Sequence, residues 1–202
     1  MLRKIAVTLA VFVMLLAAVL FYIFSQGPEL GKYEFLKQPR ITTLPAQRML
    51  VVTAQGDPNA VASKAFGLLF KTYFKISGVP KSLHLAPRAR WAGDMRVKSS
   101  WTGYYAMPVP DQTASLPDIT PEPGCKVELT TWEYGDVAEI LHIGPYAEET
   151  PAIEKLRQFL KQKGYAIIGY HEEEYLKGPG LFSQGDPGKY YTIIRYRVRK
   201  KT

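Results

Sequence analysis

The chain has 202 residues, with 26 Lys and Arg against 18 Asp and Glu, a formal net charge of +8. One cysteine, Cys125, excludes an internal disulfide, and no Cys/His cluster has metal-ligand spacing, so neither a metal nor a cofactor is expected. The basic excess comes without a nucleic-acid-binding motif, so nucleic acid is not an expected partner.

The chain opens with Arg3 and Lys4, and then Ile5 to Phe24 carries no charge, with Thr8 and Tyr22 as its polar interruptions. About 20 apolar residues at 1.5 Å rise span a hydrocarbon core of about 30 Å, which predicts a transmembrane helix and a lipid bilayer as partner over residues 5–24. A cleaved signal peptide shares the charged start. The length of the run and the lack of an A-x-A-like site after Phe24 favour the anchor. The short basic start favours a cytoplasmic N-terminus and an extracytoplasmic domain, against which Lys32, Lys37 and Arg40 weigh on the other side. The predicted organisation is an anchor over 1–25, a juxtamembrane linker over 26–39 and a folded domain over 40–202.

Within the domain, Ile41 to Ala54 reads as a strand. Asp57-Pro58 supplies an N-cap and a first helical residue, and Val61, Ala65, Leu68, Leu69 and Tyr73 form the apolar stripe of a helix ending near Gly78. Ser82 to Leu85 and Ser99 to Val109 read as strands. The Pro- and Asp-rich segment 111–124 separates module one (40–110) from module two (125–202). There the order repeats. Lys126 to Ile143 reads as a long strand or a hairpin bent at Tyr134-Gly135-Asp136. Thr150-Pro151 repeats the helix start, Ile153, Leu156 and Leu160 give the stripe, and Gly164 the stop. Tyr165 to Leu176 and Tyr190 to Arg199 read as the closing strands. Each half is strand, helix, strand, strand, offset by roughly 90 residues. The predicted fold class is therefore α+β: tandem duplicated βαββ modules with mostly antiparallel sheets behind one transmembrane helix.

In the last strand Arg195, Arg197 and Arg199 alternate with Tyr196 and Val198, which places the arginines on one face. That face reads as solvated, with anionic headgroups or an acidic partner as the functional alternative. His84 and His142 sit in strand-like segments and read as hydrogen-bonded side chains rather than haem ligands. The run Gly185-Asp186-Pro187-Gly188 reads as a turn, not a phosphate cradle.

Module two carries a resemblance. The run Ala138 to Ile143 followed by Gly144-Pro145-Tyr146, the helix Pro151 to Lys163, Gly164-Tyr165, and Tyr170 to Leu176 with Glu173-Glu174-Tyr175-Leu176 at its core resemble the GyrI-like small-molecule-binding domain. This is also the effector-binding domain of multidrug-responsive regulators. Module one shares the order of elements and the strand Gly103-Tyr104-Tyr105. The resemblance implies two βαββ modules and a groove between them for amphiphilic or cationic aromatic molecules, with a core glutamate, by position Glu173, as the negative charge. Strand alternation puts His171, Glu173 and Tyr175 on one face and Glu172, Glu174 and Leu176 on the other. A shift of one residue would exchange them, and an exposed acidic edge strand is the bland alternative.

The expected ligand-binding residues are Glu173, Tyr175, Trp101, Tyr104, Trp132 and Tyr146, with Trp91 a further aromatic of the same kind; no residue is expected to be catalytic. Trp101 and Tyr104 differ by an odd number, so both reach one groove only if Gly103 introduces a bulge. The sequence departs from the regulators in having an apolar segment in place of a DNA-binding one. The leading expectation is a membrane-anchored binding domain for small amphiphilic ligands. A hydrolase of small electrophiles using the pocket glutamate and an envelope interaction module stand as alternatives.

Overall fold

The computed structural model describes residues 29–81, 85–93, 97, 100–120, 122–179 and 185–202. The apolar segment 5–24 and His84 lie outside the described residues, among which no helix is long and apolar enough to cross a membrane. A 3-10 helix, Leu30–Lys37, leads into nine strands and two α-helices among the described residues. In chain order these are β1 Arg40–Leu44, β2 Gln47–Gln55, α1 Pro58–Tyr73, β3 Arg88–Ala92, β4 Thr102–Pro108, β5 Cys125–Trp132, β6 Gly135–Ile143, α2 Thr150–Lys163, β7 Tyr165–Ile167, β8 His171–Lys177 and β9 Tyr191–Lys200.

The strands pair antiparallel in the order β1-β6-β9-β8-β3-β4-β2-β5, with β7 on the end of β9. The inner six read the same from either end once β6, β9 and β8 are matched to β2, β4 and β3. The two halves therefore contribute matching strand orders, joined through β8 and β3. The strands that precede each module are exchanged. β1 precedes β2 but pairs with β6, and β5 precedes β6 but pairs with β2. The two modules thus share one continuous sheet.

Several boundaries depart from the sequence reading. Residues 41–54 form two strands, broken at Pro45, which has no N–H to give to a ladder. Residues 126–143, expected as one long strand or a hairpin bent at Tyr134-Gly135-Asp136, form two strands that leave for opposite ends of the sheet; the break falls at the expected bend, with Gly135 at φ 62°. Residues 165–176 also divide, into β7 and β8. The strand between α1 and β4 is Arg88–Ala92, a segment whose alternate arginines disguise it. The cap of α1 is as expected, with Asp57 Oδ1 accepting from the Asn59 amide at 2.9 Å. Thr150 is not the cap of α2. Glu149 holds that position without a side-chain cap bond, while Gly164 ends the helix in the left-handed region at φ 73°.

Both helices lie on one face. Ala89 and Trp91 pair with Glu173 and His171, and Glu173 pairs with Ile194, so these side chains project the same way. Trp91 and Ala89 belong to the core under α1, with Leu50, Val52, Leu69 and Tyr105. Ile194 belongs to the core under α2, with Ile140, Leu156 and Leu160.

The other face holds an ion ladder across five strands. Arg40, Glu139, Arg195, Glu172 and Arg90 are direct cross-strand neighbours on β1, β6, β9, β8 and β3, alternating in sign. Arg40 Nη2 donates to Glu139 Oε2 at 2.8 Å, Arg195 Nε to Glu139 Oε1 at 2.7 Å, Arg195 Nη1 to Glu172 Oε1 at 2.6 Å, and Arg90 Nε to Glu172 Oε2 at 2.7 Å. Arg195 also reaches Glu174 at 3.0 Å, and Arg88 lies 3.1 Å from the same carboxylate. Tyr134 donates to Glu172 and accepts from Arg88, and Trp132 lies flat under the Arg90 guanidinium at 3.8 Å. Two apolar clusters lie on this face, one with Met49, Val51 and Ala106, the other with Leu36, Leu141 and Ile193; Arg195, Glu139 and Glu172 are buried, while Arg40 at the end of the ladder is partly exposed.

This corrects two expectations. The arginine face of β9 is not simply solvated, since Arg195 is 4% exposed. The three glutamates do not line an edge, since β8 is the strand at the junction of the modules.

Removing one member leaves its partners charged and dry. Arg195→Ala is expected to cost about 3–5 kcal/mol in denaturant unfolding. Burial pushes the Glu172 carboxyl upward, but the guanidinium groups of Arg195, Arg90 and Arg88 outweigh it and hold the group below the usual carboxylate range. A depressed folded pKa contributes stability that is complete above the unfolded value of about 4.3 and is lost as pH falls through the folded one. Glu172→Gln should therefore flatten the acid limb of a stability–pH profile below about pH 4.3; an unchanged limb would count against this account.

Candidate functional site: a carboxylate in an aromatic box

The helices rest on the outer parts of their modules, α1 on β2 and β4, α2 on β6 and β7. Between them, on the helix face, the junction strands β8 and β3 present His171, Glu173, Tyr175 and Trp91. Three groups converge on Glu173. Trp91 Nε1 donates to its Oε1 at 3.1 Å, the Tyr175 hydroxyl donates to Oε2 at 2.5 Å, and His171 Nε2 lies 2.8 Å from Oε1. The other imidazole nitrogen, Nδ1, is 2.7 Å from the Tyr196 hydroxyl.

Aromatic rings enclose this carboxylate. Trp101 packs on Trp91 with centroids 5.6 Å apart, and Tyr105 meets Trp91 edge-on at the same distance. Phe66 from α1 stands edge-on to both Tyr105 and Tyr175, while Tyr146 packs on Tyr175 and Tyr190. Gly103 is needed for this wall, because a Cβ there would meet the Tyr105 ring at 2.7 Å. His142 Nε2 lies 3.0 Å from the Pro145 carbonyl and ties down the Gly144-Pro145-Tyr146 turn, which delivers Tyr146 and Glu149 to the box.

Glu149 is 6% exposed and its Oε1 has no hydrogen-bond partner. One ligand atom from each of Glu149, His171 and Glu173 lies within 4.8 Å of the others. Burial, then the Glu173 charge, push the Glu149 carboxyl up to about 9, so it carries a proton at neutral pH despite its place at a helix N-terminus. Burial and then Glu173 likewise hold the Tyr175 hydroxyl far above its ordinary range. Burial, Tyr190 and Glu173 raise Tyr146 as well, so both tyrosines are neutral donors.

Of the residues predicted from sequence, Glu173, Tyr175 and Tyr146 are brought together, and Trp101 backs Trp91. Tyr104 and Trp132 are not brought to the box. β4 runs through Gly103 in regular register without a bulge, so Tyr104 faces the ladder side and packs on Tyr170, while Trp132 lies under Arg90. Strand alternation places His171 on the Glu173 face, though not among the expected ligand-binding residues; Glu149 and Tyr196 were missed, and nothing local marked them.

A cavity of about 430 Å³ opens on the opposite face beside Arg90, Tyr134, Tyr170, Arg195 and Arg197. Its central charges are already matched within the ladder, so the helix-face box is the stronger candidate.

The description of the GyrI-like small-molecule-binding domain matches residues 37–199. The chain belongs to this family. Solved structures share the fold. An uncharacterised conserved protein from Listeria innocua superposes with TM-score 0.65 at 20% identity, over 85% of this chain and 97% of that one. A hydrolase from the same organism gives 0.63 at 18%, over 84% and 97%. The C-terminal domain of EcmrR gives 0.55 at 15%, over 81% and 98%. At these identities the likeness is one of fold. None of the curated proteins matches the chain in sequence.

A raised carboxyl pKa opposes folding once the unfolded chain ionises. The cost of Glu149 begins near pH 4.5 and grows towards pH 9, by up to about 1.4 kcal/mol per pH unit. Glu149→Gln, isosteric and uncharged, should therefore melt higher than the wild type at pH 7 and the gap should widen with pH. A gap independent of pH would show that Glu149 is ionised in the fold.

Proposed function

We propose that the box captures small amphiphilic, cationic aromatic molecules, and that residues 5–24 tether the domain to a membrane with the domain on the extracytoplasmic side. The observation that carries the ligand reading is the contrast between neighbours on one strand. Glu172 and Glu174 are matched to arginines, whereas among the described residues Glu173 is paired with no arginine or lysine and is held by Trp91, His171 and Tyr175. A carboxylate 9% exposed and ringed by π-faces offers a cation both charge attraction and cation–π contact, the latter about 0.5–2 kcal/mol. An amphiphilic ligand also suits a domain held beside a bilayer.

Thermal unfolding of the purified full chain tests this, with a panel of lipophilic cations such as tetraphenylphosphonium set against neutral analogues. At 100 times Kd a ligand adds about 2.7 kcal/mol. Cation-selective stabilisation that disappears in Glu173→Gln supports the reading; equal shifts in the variant, or shifts from the neutral analogues alone, refute it. Retention in the membrane fraction after alkaline washing, lost when residues 1–25 are removed, tests the tether.

Hydrolysis is the second reading. One observation favours it: a protonated carboxyl, Glu149, stands beside a second carboxyl and two tyrosine hydroxyls, the parts of an acid–base pair. Two structural neighbours are described as hydrolases. Turnover of an electrophilic substrate that vanishes in Glu173→Gln would favour this reading over simple capture. Docking of a partner on the basic strand β9 is weakened by the burial of Arg195.

A further inference from the structure

The box holds more than the proposed capture of a cation requires. Glu149 comes from the start of α2, His171 and Glu173 from β8, and all three turn towards one point. Glu149 is more than nine-tenths buried, its Oε1 has no hydrogen-bond partner, and a carboxylate oxygen of this residue lies within 4.8 Å of ligand atoms of both His171 and Glu173. Buried polar atoms left in this state are rare and call for an explanation.

We propose that Glu149, His171 and Glu173 form a binding site for a divalent first-row transition-metal ion. The donor set is two carboxylate oxygens and one imidazole nitrogen. Imidazole suits zinc, iron, nickel and copper, while carboxylates extend the range towards manganese; a mixed set in a dry site disfavours calcium and magnesium, which want more oxygens or retained waters.

The geometry fits. His171 Nε2 and Glu173 Oε1 are already 2.8 Å apart, close to the separation of two ligands on one ion. In a tetrahedral set, atoms each about 2.1 Å from a shared ion are about 3.4 Å apart, so Glu149, within 4.8 Å of the other two ligands, closes by roughly 1.4 Å at most as the ion binds. Once Glu149 gives up its proton as the ion binds, the two carboxylates supply the two negative charges that a divalent ion cancels.

The surroundings also suit a metal. The Tyr196 hydroxyl on Nδ1 fixes the ring so that Nε2 points into the cluster, and Trp91 and Tyr175 fix the Glu173 carboxylate. Partners of this kind orient metal ligands and tune their affinity. Three protein ligands leave a position for a ligand entering between the helices. The inference goes beyond organic-cation capture: it shares Glu173 with that reading but depends on Glu149 and His171.

The full chain, stripped with a chelator and dialysed, is titrated with Co²⁺ and followed by its visible ligand-field absorption. Zn²⁺ is then added as competitor. A saturable signal at one ion per chain, displaced by Zn²⁺, is expected. Glu149→Gln and His171→Gln should weaken binding by about 100-fold or more, and Tyr196→Phe by about 10-fold. Glu154→Gln, on the exposed side of α2, should bind as the wild type does.

Melting each variant in metal-free buffer separates lost binding from lost fold. Glu149→Gln is the decisive variant, because it keeps the shape of the site and removes a ligand charge. No Co²⁺ signal from wild type at millimolar metal, or equal binding by wild type and a folded Glu149→Gln, overturns the proposal. The lipophilic-cation panel run on the same metal-free wild type reports the capture reading separately, so either can fail alone.

Discussion

The sheet depends on the ladder Arg40–Glu139–Arg195–Glu172–Arg90. Buried ion pairs gain little net stability over apolar packing, because each charge must first leave water. What they supply is register. Sliding β8 against β9 or β3 by one residue would place Glu173 where Glu172 meets its arginines and turn a charge into the apolar layer under the helices. Because the ladder crosses β9, β8 and β3, the same charges that align module two internally also weld it to module one. The exchanged strands β1 and β5 complete the weld at the outer edges, and Arg40 carries the ladder onto the first of them.

One strand does two jobs because its period is two. The even residues Glu172 and Glu174 point into the ladder and are neutralised within it. The odd residues His171, Glu173 and Tyr175 point to the helix face, where among the described residues Glu173 is paired with no arginine. A binding carboxylate needs both properties, a fixed position and an uncompensated charge. The ladder provides the first without destroying the second, since the two sets of glutamates are separated by the thickness of the sheet.

The box itself opposes stability. Glu149 is driven to hold a proton by burial and by Glu173, and its Oε1 is unpaired, both unfavourable in a folded chain. Such groups persist where a ligand makes use of them, and they fall here at the junction of two repeats, a recurrent place for ligand sites. The family description, a small-molecule-binding domain, is consistent with that placement.

The order of elements was legible in the sequence because it rests on local physics. The helix stripes, the Asp57 cap, the Gly164 stop and the duplicated order each depend on residues a few positions apart, as does the alternation that put His171, Glu173 and Tyr175 on one face. Pairing partners were not legible. The long strand or hairpin expected over 126–143 and the strand missed at Arg88–Ala92 both failed because what holds those segments is contributed by strands far away in sequence. The meaning of the charges failed for the same reason: Arg195 and Glu172 look like solvent-facing residues until their partners, 23 positions apart, are seen in contact. Trp132 and Tyr104 looked like groove walls, and only the sheet register assigns them to the other face. The nature of the glutamate was written locally; its company, Glu149 from a helix start and Trp91 from the other module, was decided by tertiary structure, because a site built across a repeat junction has no signature within either repeat.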